Sequence, residues 1–487
     1  MHGTLARLMA ALPGARLVAA AAATDTADTA GAVAFDGVST DSRSAGPGSL
    51  FVALRGETFD AHDFLAQVAA AGVAAVVAEE LPEGFALPAI VVPDTLTALG
   101  QIARQWRAQF AIPVIGVTGS NGKTTVKEMI AAILAAAFTE EARLATRGNL
   151  NNEIGVPLTL FRLAASHRAA VVELGMNHPG EIARLAAIAA PTIGLVNNAQ
   201  REHQEFMHTV EAVALENGAV IAALAQDGVA VYPGDDVYSP LWQGLAQGRR
   251  SITFGLDPAC TVSCTHAPSA FGSELRVNVG GAAPEVFGVR LAAAGLHNVR
   301  NALAAIACAL AAGVPVAAIV AGLEAFAPVN GRLQRKPAAC GATLIDDSYN
   351  ANPDSVRAAI DVLAQAAGPR ILVLGDMGEV GTQGREFHEE IGAYAASRGI
   401  GTLLATGELA RHVVSHAAGD GRDFRHFAQF DALLAALDAV LDSLAGGTSA
   451  ATVLVKGSRF MKMERVVQHL AATSQQAGSP DTQKEAH

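Results

Sequence analysis

Residues 116 to 125 of the chain read Gly116-Val117-Thr118-Gly119-Ser120-Asn121-Gly122-Lys123-Thr124-Thr125. The β-branched run from Val114 to Val117 predicts a strand before the glycines, and apolar residues at 126, 129, 130, 133, 134 and 137 predict a helix after them. Backbone N–H groups of such a turn, and the positive end of the helix dipole, face a bound polyphosphate. This stretch therefore predicts a nucleotide-binding loop in a parallel α/β sheet.

Two side chains of this loop have the chemistry that a nucleoside triphosphate requires. Lys123 would reach the β- and γ-phosphates, and the Thr124 hydroxyl would ligate Mg²⁺. The strict G-x-x-x-x-G-K-[ST] pattern needs glycine at 117, where this chain has valine and the glycine stands one residue earlier. An ordinary strand–helix turn that binds nothing is the alternative interpretation.

Composition limits the possible classes of protein. A chain of 487 residues is too long for one core, so three domains are expected. The net charge of −12, without a long basic run, argues against a nucleic-acid-binding surface. The cysteines at 260, 264, 308 and 340 form no C-x-x-C pair, which suits a reducing cytoplasm.

No apolar run is long enough to predict insertion into a membrane. The apolar N-terminal segment resembles a signal peptide, but it is interrupted by Pro13, Gly14 and Arg16. We therefore interpret this segment as a helix, a turn and a short strand.

Apolar β-rich runs alternate with helical patterns along the chain, which is typical of parallel α/β domains. Candidate strands lie at 49–54, 74–77, 170–174, 193–197, 343–346, 371–374, 402–405 and 452–455. We predict an N-terminal α/β domain at 1–110, a central domain with the phosphate loop at 111–328, and a Rossmann-like domain at 329–473. The last of these lacks a G-x-G-x-x-G fingerprint, and the polar segment 474–487 is predicted to be disordered.

Polar residues at strand ends are candidate site residues, because ligands of open parallel sheets bind beyond the carboxyl ends of the strands. Glu173 ends an apolar run and is placed to hold Mg²⁺ with Thr124, the alternative being a capping or solvated carboxylate. His203 follows the next strand and is equally compatible with a site residue and with a surface histidine. Two asparagine-rich segments, 148–155 and 295–305, could bind adenine, sugars or peptide groups, although single asparagines are more often caps.

Together, the phosphate loop, Glu173, the segment 297–303, Arg332 and Asp347-Ser348 resemble the Mur ligase superfamily, which builds the peptide stem of bacterial cell-wall precursors. Segments that resemble the branch adding D-alanyl-D-alanine are 41–43, 51–56, 59–64, 148–160, 174–182, 346–353, 375–381 and 455–464. The resemblance covers nearly the whole chain except the tail. The D-N-P-R motif of the diaminopimelate-adding sibling is absent, and Thr124 stands where folate polyglutamate ligases have glycine.

The resemblance implies an ATP-dependent amide ligase of peptidoglycan synthesis, and hence of cell-wall biogenesis, cell shape and cell division. Lys123 and Mg²⁺ would pass the γ-phosphoryl group to the terminal carboxylate of UDP-N-acetylmuramoyl-tripeptide. The amine of D-Ala-D-Ala would then attack the acyl phosphate. The implied fold has an N-terminal domain for the UDP-sugar-peptide, a central ATP-binding domain and a C-terminal Rossmann-like domain, in a cytoplasmic monomer.

The motif match also implies roles for individual residues. Lys123, Glu173 and His203 would be catalytic, and His203 would join Thr124 and Glu173 as a metal ligand. ATP would be bound by Gly119, Ser120, Asn121, Gly122, Lys123, Thr124, Thr125, Asn301 (adenine), Arg332 (phosphates) and Asp347 (ribose). The substrates would be held by Ser39, Asp41, Ser42, Arg43, Asn151 and Asn152 and, on the acceptor side, by Lys456 and Arg459.

One position departs from the superfamily pattern. A carbamylated lysine usually follows the histidine and ligates a second Mg²⁺, but this chain has Asn217 there. Asparagine cannot form a carbamate, so a second metal would be held differently, through water or Glu216. We hypothesise that activity does not depend on lysine carbamylation.

Two other functions remain open from the sequence. One is a sibling ligase with a different amino acceptor, and the other is a switch or motor driven by ATP or GTP. No N-K-x-D guanine motif is present, which disfavours a GTP-driven switch.

Overall fold

The structure is a computed structural model that describes residues 1–20, 27–56, 58–269, 271–281, 284–338, 340–416, 421–445 and 450–476. Three main sheets follow one another along the chain, and each takes its strands from one of the three predicted segments. No helix within these ranges is long and apolar enough to cross a membrane.

The N-terminal segment forms a small mixed sheet. Its elements are β1 (His2–Thr4), α1 (Leu5–Met9), β2 (Arg16–Val18), α2 (Ala27–Gly31), β3 (Ala34–Asp36), β4 (Val38–Ser39), β5 (Leu50–Val52), α3 (Leu65–Ala70), β6 (Ala75–Ala78), β7 (Ala89–Val91) and α4 (Thr95–Arg107), with a 3-10 turn at Ala61–Phe64. The strand order is β2-β7-β6-β5-β4, parallel except for β2, while β1 pairs with β3. The helix, turn and short strand predicted for the N-terminus are confirmed as α1 and β2.

The central segment forms the largest sheet. Its elements are β8 (Val114–Thr118), α5 (Lys123–Phe138), β9 (Arg143–Ala145), α6 (Gly155–Leu160), β10 (Ala169–Glu173), α7 (Glu181–Ala189), β11 (Ile193–Val196), α8 (Gln204–Met207), α9 (Val210–Ala222), β12 (Val229–Pro233), α10 (Ser239–Ala246), β13 (Arg250–Gly255), β14 (Val262–Ser269), β15 (Gly272–Val279), β16 (Glu285–Leu291), α11 (Leu296–Ala311) and α12 (Val316–Ala325). The order is β16-β15-β14-β13-β12-β11-β8-β10-β9. Strands β8 to β14 pair with one another in parallel, whereas β14, β15 and β16 form an antiparallel meander that the sequence did not predict.

The C-terminal segment has the predicted Rossmann-like alternation. Its elements are β17 (Gln334–Pro337), β18 (Thr343–Asp347), α13 (Pro353–Ala364), β19 (Arg370–Leu374), α14 (Gly384–Ser397), β20 (Thr402–Thr406), β21 (Asp423–Phe427), α15 (Phe430–Leu444), β22 (Thr452–Lys456) and α16 (Glu464–Gln476), with 3-10 turns at Gly381–Gln383, Ala410–His416 and Arg459–Met461. The order is β17-β18-β22-β19-β20-β21, parallel except for β17. Helix α16 ends at Gln476, so the rest of the tail predicted from 474 lies outside the described residues.

The phosphate-loop strand and helix are largely buried. Every residue of β8 is buried, and β8 lies between β10 and β11. The apolar face predicted for α5 is buried, including Val126, Ile130 and Leu134. Burial of this kind contributes about 1.5–3 kcal/mol for each large aliphatic side chain. The loop between β8 and α5 is therefore held between two rigid elements at the carboxyl edge of the sheet.

Candidate active site

A cavity of about 900 Å³ lies between the carboxyl edge of the central sheet and the C-terminal domain. Both domains line it. The central domain contributes Ser120 to Thr125, Asn151, Asn152, Glu173, Glu202, His203 and Asn301, and the C-terminal domain contributes Arg332, Asp347, Tyr349, Lys456 and Arg459. The structure thus brings together most of the residues predicted for the site.

The phosphate loop needs glycine at its tightest point. Gly122 has φ +81°, and a Cβ atom there would lie 2.5 Å from Asn301 Oδ1 and 2.8 Å from Asn197 Nδ2. A side chain would therefore meet both backbone strain and a collision. The loop can pass this close to the asparagines only because residue 122 has no side chain.

The Lys123 side chain folds back over its own loop. Its Nζ donates to the Gly119 carbonyl (2.5 Å) and the Ser120 carbonyl (3.2 Å), and it pairs with Glu202 Oε1 at 2.7 Å. The side chain is 15% exposed, towards the cavity. These contacts hold a positive charge over the loop, where the negative charge of a phosphate would be neutralised.

The residues predicted to hold Mg²⁺ meet beside the loop. Thr124 Oγ1 donates to Glu173 Oε1 at 3.2 Å, and Asn151 Nδ2 donates to the same oxygen at 2.9 Å. Glu173 is buried at the end of β10, and its Oε2 atom has no hydrogen-bond partner among the described residues. A buried carboxylate oxygen without a partner is costly unless a cation or water satisfies it. A hydroxyl beside this carboxylate is a donor set that fits Mg²⁺.

A layer of asparagine amides supports the loop from below. Asn197 Nδ2 donates to the Asn121 carbonyl at 2.8 Å and to Asn301 Oδ1 at 2.9 Å, and Asn301 Nδ2 donates to Asn298 Oδ1 at 3.1 Å. Asn301 is 4% exposed. In this structure its amide supports the loop, and the predicted contact with adenine stays a prediction.

His203 lies between two carboxylates from different domains. Its Nδ1 is 2.5 Å from Glu379 Oε2 of the C-terminal domain, and its Nε2 is 3.5 Å from Glu202 Oε1. Burial lowers the pKa of His203, but the two carboxylates outweigh it and raise the pKa to about 9. Both His203 and Glu379 have a left-handed backbone, with φ of +48° and +57°. Such conformations cluster at functional sites because the surrounding structure must hold them in place.

Asn217, in place of the modified lysine, is buried in α9 and does not line the cavity. Its Oδ1 accepts a hydrogen bond from the Thr118 hydroxyl. The neighbouring Glu216 accepts backbone N–H groups of Gly180 and Ile182, both at 2.8 Å, at the start of α7. Glu216 is therefore engaged as a helix cap in this structure.

The C-terminal wall of the cavity is built around Tyr349 and Asp347. The Arg332 guanidinium lies 4.4 Å from the Tyr349 ring centroid, and that of Arg459 lies 5.7 Å from it. Asp347 Oδ2 pairs with Lys456 Nζ at 2.6 Å, and its Oδ1 accepts the Leu333 N–H at 3.1 Å. Lys456 is 3% exposed, so it ties β18 to β22 here. The substrate and ribose contacts predicted for this pair stay predictions.

The predicted UDP-substrate residues divide into two groups. Asn151 and Asn152 line the cavity, and Asn152 Oδ1 caps α6 by accepting the Gly155 N–H at 2.8 Å. The Ser39–Arg43 turn, which includes Ser42, does not line the cavity and lies in the N-terminal domain. There Arg43 donates two hydrogen bonds to Asp41, of 2.9 and 2.7 Å, which lower the pKa of Asp41 to about 2. The Arg43 side chain is 86% exposed.

Comparison with known proteins agrees with this geometry. Three family models match, described as Mur ligase family, catalytic domain (residues 34–107), Mur ligase middle domain (117–309), and Mur ligase, glutamate ligase domain (331–459). The UDP-N-acetylmuramoyl-tripeptide–D-alanyl-D-alanine ligase of Escherichia coli (strain K12) is 40% identical over 441 residues, which are 90% of this chain and 94% of that protein. The chain belongs to the Mur ligase family. The resemblance inferred from the sequence is thereby confirmed.

Solved structures of Mur ligases match over almost the full length. MurF from Acinetobacter baumannii has 33% identity and a TM-score of 0.87, and the match covers 97% of this chain and 99% of that chain. A second structure from that organism is described as UDP-N-acetylmuramoylalanyl-D-glutamyl-2,6-diaminopimelate–D-alanyl-D-alanyl ligase. It has 33% identity and a TM-score of 0.82, and the match covers 96% of this chain and 98% of that chain. The three-domain α/β fold predicted for this Mur ligase is confirmed.

Several residues at this Mur ligase site were not among the predicted site residues. Asn197 supports the phosphate loop, Glu379 reaches His203 from the other domain, and Arg201 binds carboxylates across the domain boundary. The sequence places the whole segment 200–203 at a predicted strand end, but only His203 of that segment was given a role. No local pattern marked the residues of the C-terminal domain that meet it.

Proposed function

We propose that this Mur ligase uses ATP to join D-Ala-D-Ala to the C-terminal carboxylate of UDP-N-acetylmuramoyl-tripeptide in the synthesis of peptidoglycan precursors. The observation that carries the proposal is the cavity in which a phosphate loop, the Thr124–Glu173 pair and the arginine-rich C-terminal wall face one another. The name of the E. coli relative supports the same reaction.

The chemistry explains why such a cavity is needed. A carboxylate is a poor electrophile, so its oxygen first attacks the γ-phosphorus of ATP, and ADP leaves. The deprotonated amine of D-Ala-D-Ala then attacks the acyl carbon. The tetrahedral species loses a second proton from nitrogen and expels phosphate, which leaves the amide. Most of the catalysis of these two reaction steps comes from holding the reactants in line and neutralising charge.

The residues of the central domain would bind the triphosphate and its metal. Lys123 would exchange its contacts with the loop carbonyls for phosphate oxygens, and Thr124 and Glu173 would hold Mg²⁺. A bound Mg²⁺ would neutralise phosphate charge. Arg332, which faces the same cavity from the C-terminal domain, would add a positive charge to the phosphate side.

The predicted substrate residues lie in two places, the Ser39–Arg43 turn outside the cavity and Asn151 with Asn152 inside it, and a long substrate could contact both. The UDP end would lie at the exposed Ser39–Arg43 turn, and the peptide end would reach Asn151 and Asn152 in the cavity. Arg459, which is exposed beside the cavity, would attract the carboxylate of the acceptor dipeptide. We also propose a cytoplasmic monomer, because one chain supplies both walls of the cavity and all four described cysteines are free thiols.

The test is phosphate release from ATP with UDP-N-acetylmuramoyl-tripeptide, in the presence and absence of D-Ala-D-Ala. The tripeptide used would end in diaminopimelate, as in the name of the Acinetobacter relative. We expect release to require both substrates and mass spectrometry to detect the pentapeptide product. Release that is indifferent to the dipeptide would favour another acceptor, and release without any tripeptide would favour a nucleotide switch.

A matched pair of lysine variants tests the phosphate loop itself. Lys123→Met should lower kcat by about 10²–10³-fold, as the loss of one charge-stabilising donor typically does. Lys462→Met removes an exposed lysine that does not line the cavity and should leave kcat unchanged. Equal activity of the two variants would contradict the assigned role of Lys123.

A further inference from the structure

Lys127 is a fully buried lysine in helix α5, three residues after Thr124. Its Nζ donates to the Thr146 carbonyl at 2.9 Å and contacts the Glu128 carboxylate, and its side chain does not line the cavity. Burying an ammonium group is costly unless the group is paired and hydrogen-bonded. An apolar side chain would avoid that cost, so the hydrogen bond to Thr146 is what distinguishes Lys127 from an apolar residue at this position.

Thr146 lies where the pairing of β9 with β10 ends. Its N–H donates to the Val171 carbonyl at 3.1 Å. In a continued parallel ladder, the Thr146 carbonyl would then accept the N–H of residue 173. Here that carbonyl accepts Lys127 Nζ, and the Glu173 N–H donates to Thr146 Oγ1 at 2.9 Å instead. A side-chain hydroxyl therefore replaces the ladder carbonyl at the residue predicted to hold Mg²⁺.

These contacts form a closed ring between α5 and β10. Lys127 binds Thr146, Thr146 binds the backbone of Glu173, and the Glu173 carboxylate accepts the Thr124 hydroxyl at 3.2 Å. Thr124 and Lys127 are one helical turn apart, so α5 closes the ring. All four residues belong to the central domain and are buried. The ring thus fixes the place of the hydroxyl relative to the carboxylate, whose Oε2 has no hydrogen-bond partner among the described residues.

We propose that Lys127 is a positioning residue for a divalent cation bound together with the nucleotide. It touches neither of them, and it acts through Thr146, which holds Glu173 beside Thr124. Hydrogen-bond partners of metal ligands are typically worth about 10–100-fold in metal affinity. The effect of Lys127 on the use of Mg²⁺ in turnover rests on the proposed function, whereas its effect on metal binding in the presence of ADP does not depend on the amide-forming reaction.

The first experiment measures metal binding without turnover. Mn²⁺ is titrated into ADP that is fully bound by an excess of the chain, and free Mn²⁺ is followed by electron paramagnetic resonance. Lys127→Met, which keeps the length of the side chain and removes the donor, should weaken Mn²⁺ binding about tenfold. Its affinity for ADP in EDTA, measured by isothermal titration, should stay unchanged because the backbone N–H groups of the phosphate loop are not altered.

Arg107→Met is the matched control for the loss of a buried cation. Arg107 is buried like Lys127, and its guanidinium donates to the carbonyls of Ala189 and Ala190, both at 3.2 Å, at the end of α7. None of these three residues lines the cavity. We expect Arg107→Met to lower the resistance of the chain to urea without changing its affinity for Mn²⁺ in the presence of ADP.

The second experiment tests the path through Thr146 and the effect on activity. Thr146→Val removes the hydroxyl acceptor and should also weaken Mn²⁺ binding about tenfold, whereas Thr146→Ser keeps the acceptor and should bind Mn²⁺ like the unaltered chain. Combining Lys127→Met with Thr146→Val should cost little more than either change alone, because both act on one connected set of hydrogen bonds. In Lys127→Met, the Mg²⁺ concentration that gives half-maximal pentapeptide formation should rise about tenfold, and saturating Mg²⁺ should restore most of kcat.

The outcomes separate the positioning role from the ligase activity. Unchanged Mn²⁺ affinity in folded Lys127→Met, an equal loss in Arg107→Met, or an equal loss of metal-free ADP affinity would overturn the positioning role. If Lys127→Met does not fold, Thr146→Val decides, and unchanged Mn²⁺ affinity there has the same meaning. An unaltered protein that forms no pentapeptide, while Lys127→Met still binds Mn²⁺ less tightly, would overturn the proposed function and leave the positioning role in place.

Discussion

A single glycine determines how closely the phosphate loop approaches its asparagine support. We expect Gly122→Ala to weaken nucleotide binding, because the new Cβ atom would collide with Asn301 and Asn197 and the left-handed backbone would add about 1–3 kcal/mol of strain. Gly148→Ala is the control, since Gly148 also has a positive φ, +56°, but has no atom within 4 Å of the added Cβ. Isothermal titration with ATP should show a loss of affinity only for Gly122→Ala. A similar loss in both variants would mean that the asparagine contact is unimportant.

Asn217 leads to a prediction about lysine carbamylation. Residues 111–328 contain two lysines, Lys123 in the phosphate loop and Lys127, which is buried and donates to the Thr146 carbonyl at 2.9 Å. We expect ligase activity to be unchanged by removing or adding bicarbonate, because Asn217 cannot form a carbamate. Carbon-13 NMR with labelled bicarbonate should show no carbamate signal. Activation by bicarbonate together with such a signal would contradict this expectation.

At the scale of elements, Glu216 joins two helices of the central domain. Its carboxylate belongs to α9 but accepts two backbone N–H groups at the start of α7. We expect Glu216→Ala to lower the free energy of unfolding by about 1–3 kcal/mol, since two partly buried N–H groups would lose their acceptor. Glu211→Ala, at an exposed position of α9, should cost much less. Urea denaturation of both variants measures the difference, and equal losses would show that the cap contributes little.

The elements that the sequence predicted are those with local signals. Strand β8 and helix α5 were found because every residue of β8 is buried and α5 has a periodic apolar face. Strand β15 was missed because buried and exposed residues alternate along it, so it contains no continuous apolar run. The Thr124–Glu173 pair was likewise predictable from a motif and a strand end. The Arg201–Asp354 contact joins residues 153 positions apart, and no local pattern reveals such a pair.

At the scale of the whole molecule, the charged contacts of Arg201 with Asp354 and Glu390 join the central and C-terminal domains and are sensitive to salt. The three charged side chains are 22 to 32% exposed, so ions in solution can screen them in part. We expect the radius of gyration of the protein to rise between about 0.05 M and about 1 M NaCl, where the Debye length falls to about 3 Å. Small-angle scattering of Arg201→Ala over the same range should show little change. A salt response of equal size in that variant would mean that other contacts hold the domains together.

The positions of the four cysteines allow movement of the C-terminal domain relative to the central domain to be measured by fluorescence. Cys260, Cys264 and Cys308 are buried, and burial raises the pKa of Cys264 to about 11, whereas Cys340 is exposed in the C-terminal domain. Thiolates are the reactive species, so a maleimide dye should label the native chain at Cys340 alone. Adding Leu215→Cys, at a position 55% exposed in the central domain, would supply a second attachment point. The unaltered chain thus already has one of the two attachment points that a donor–acceptor dye pair needs. With the second, the distance between the central and C-terminal domains could be followed in single molecules during turnover.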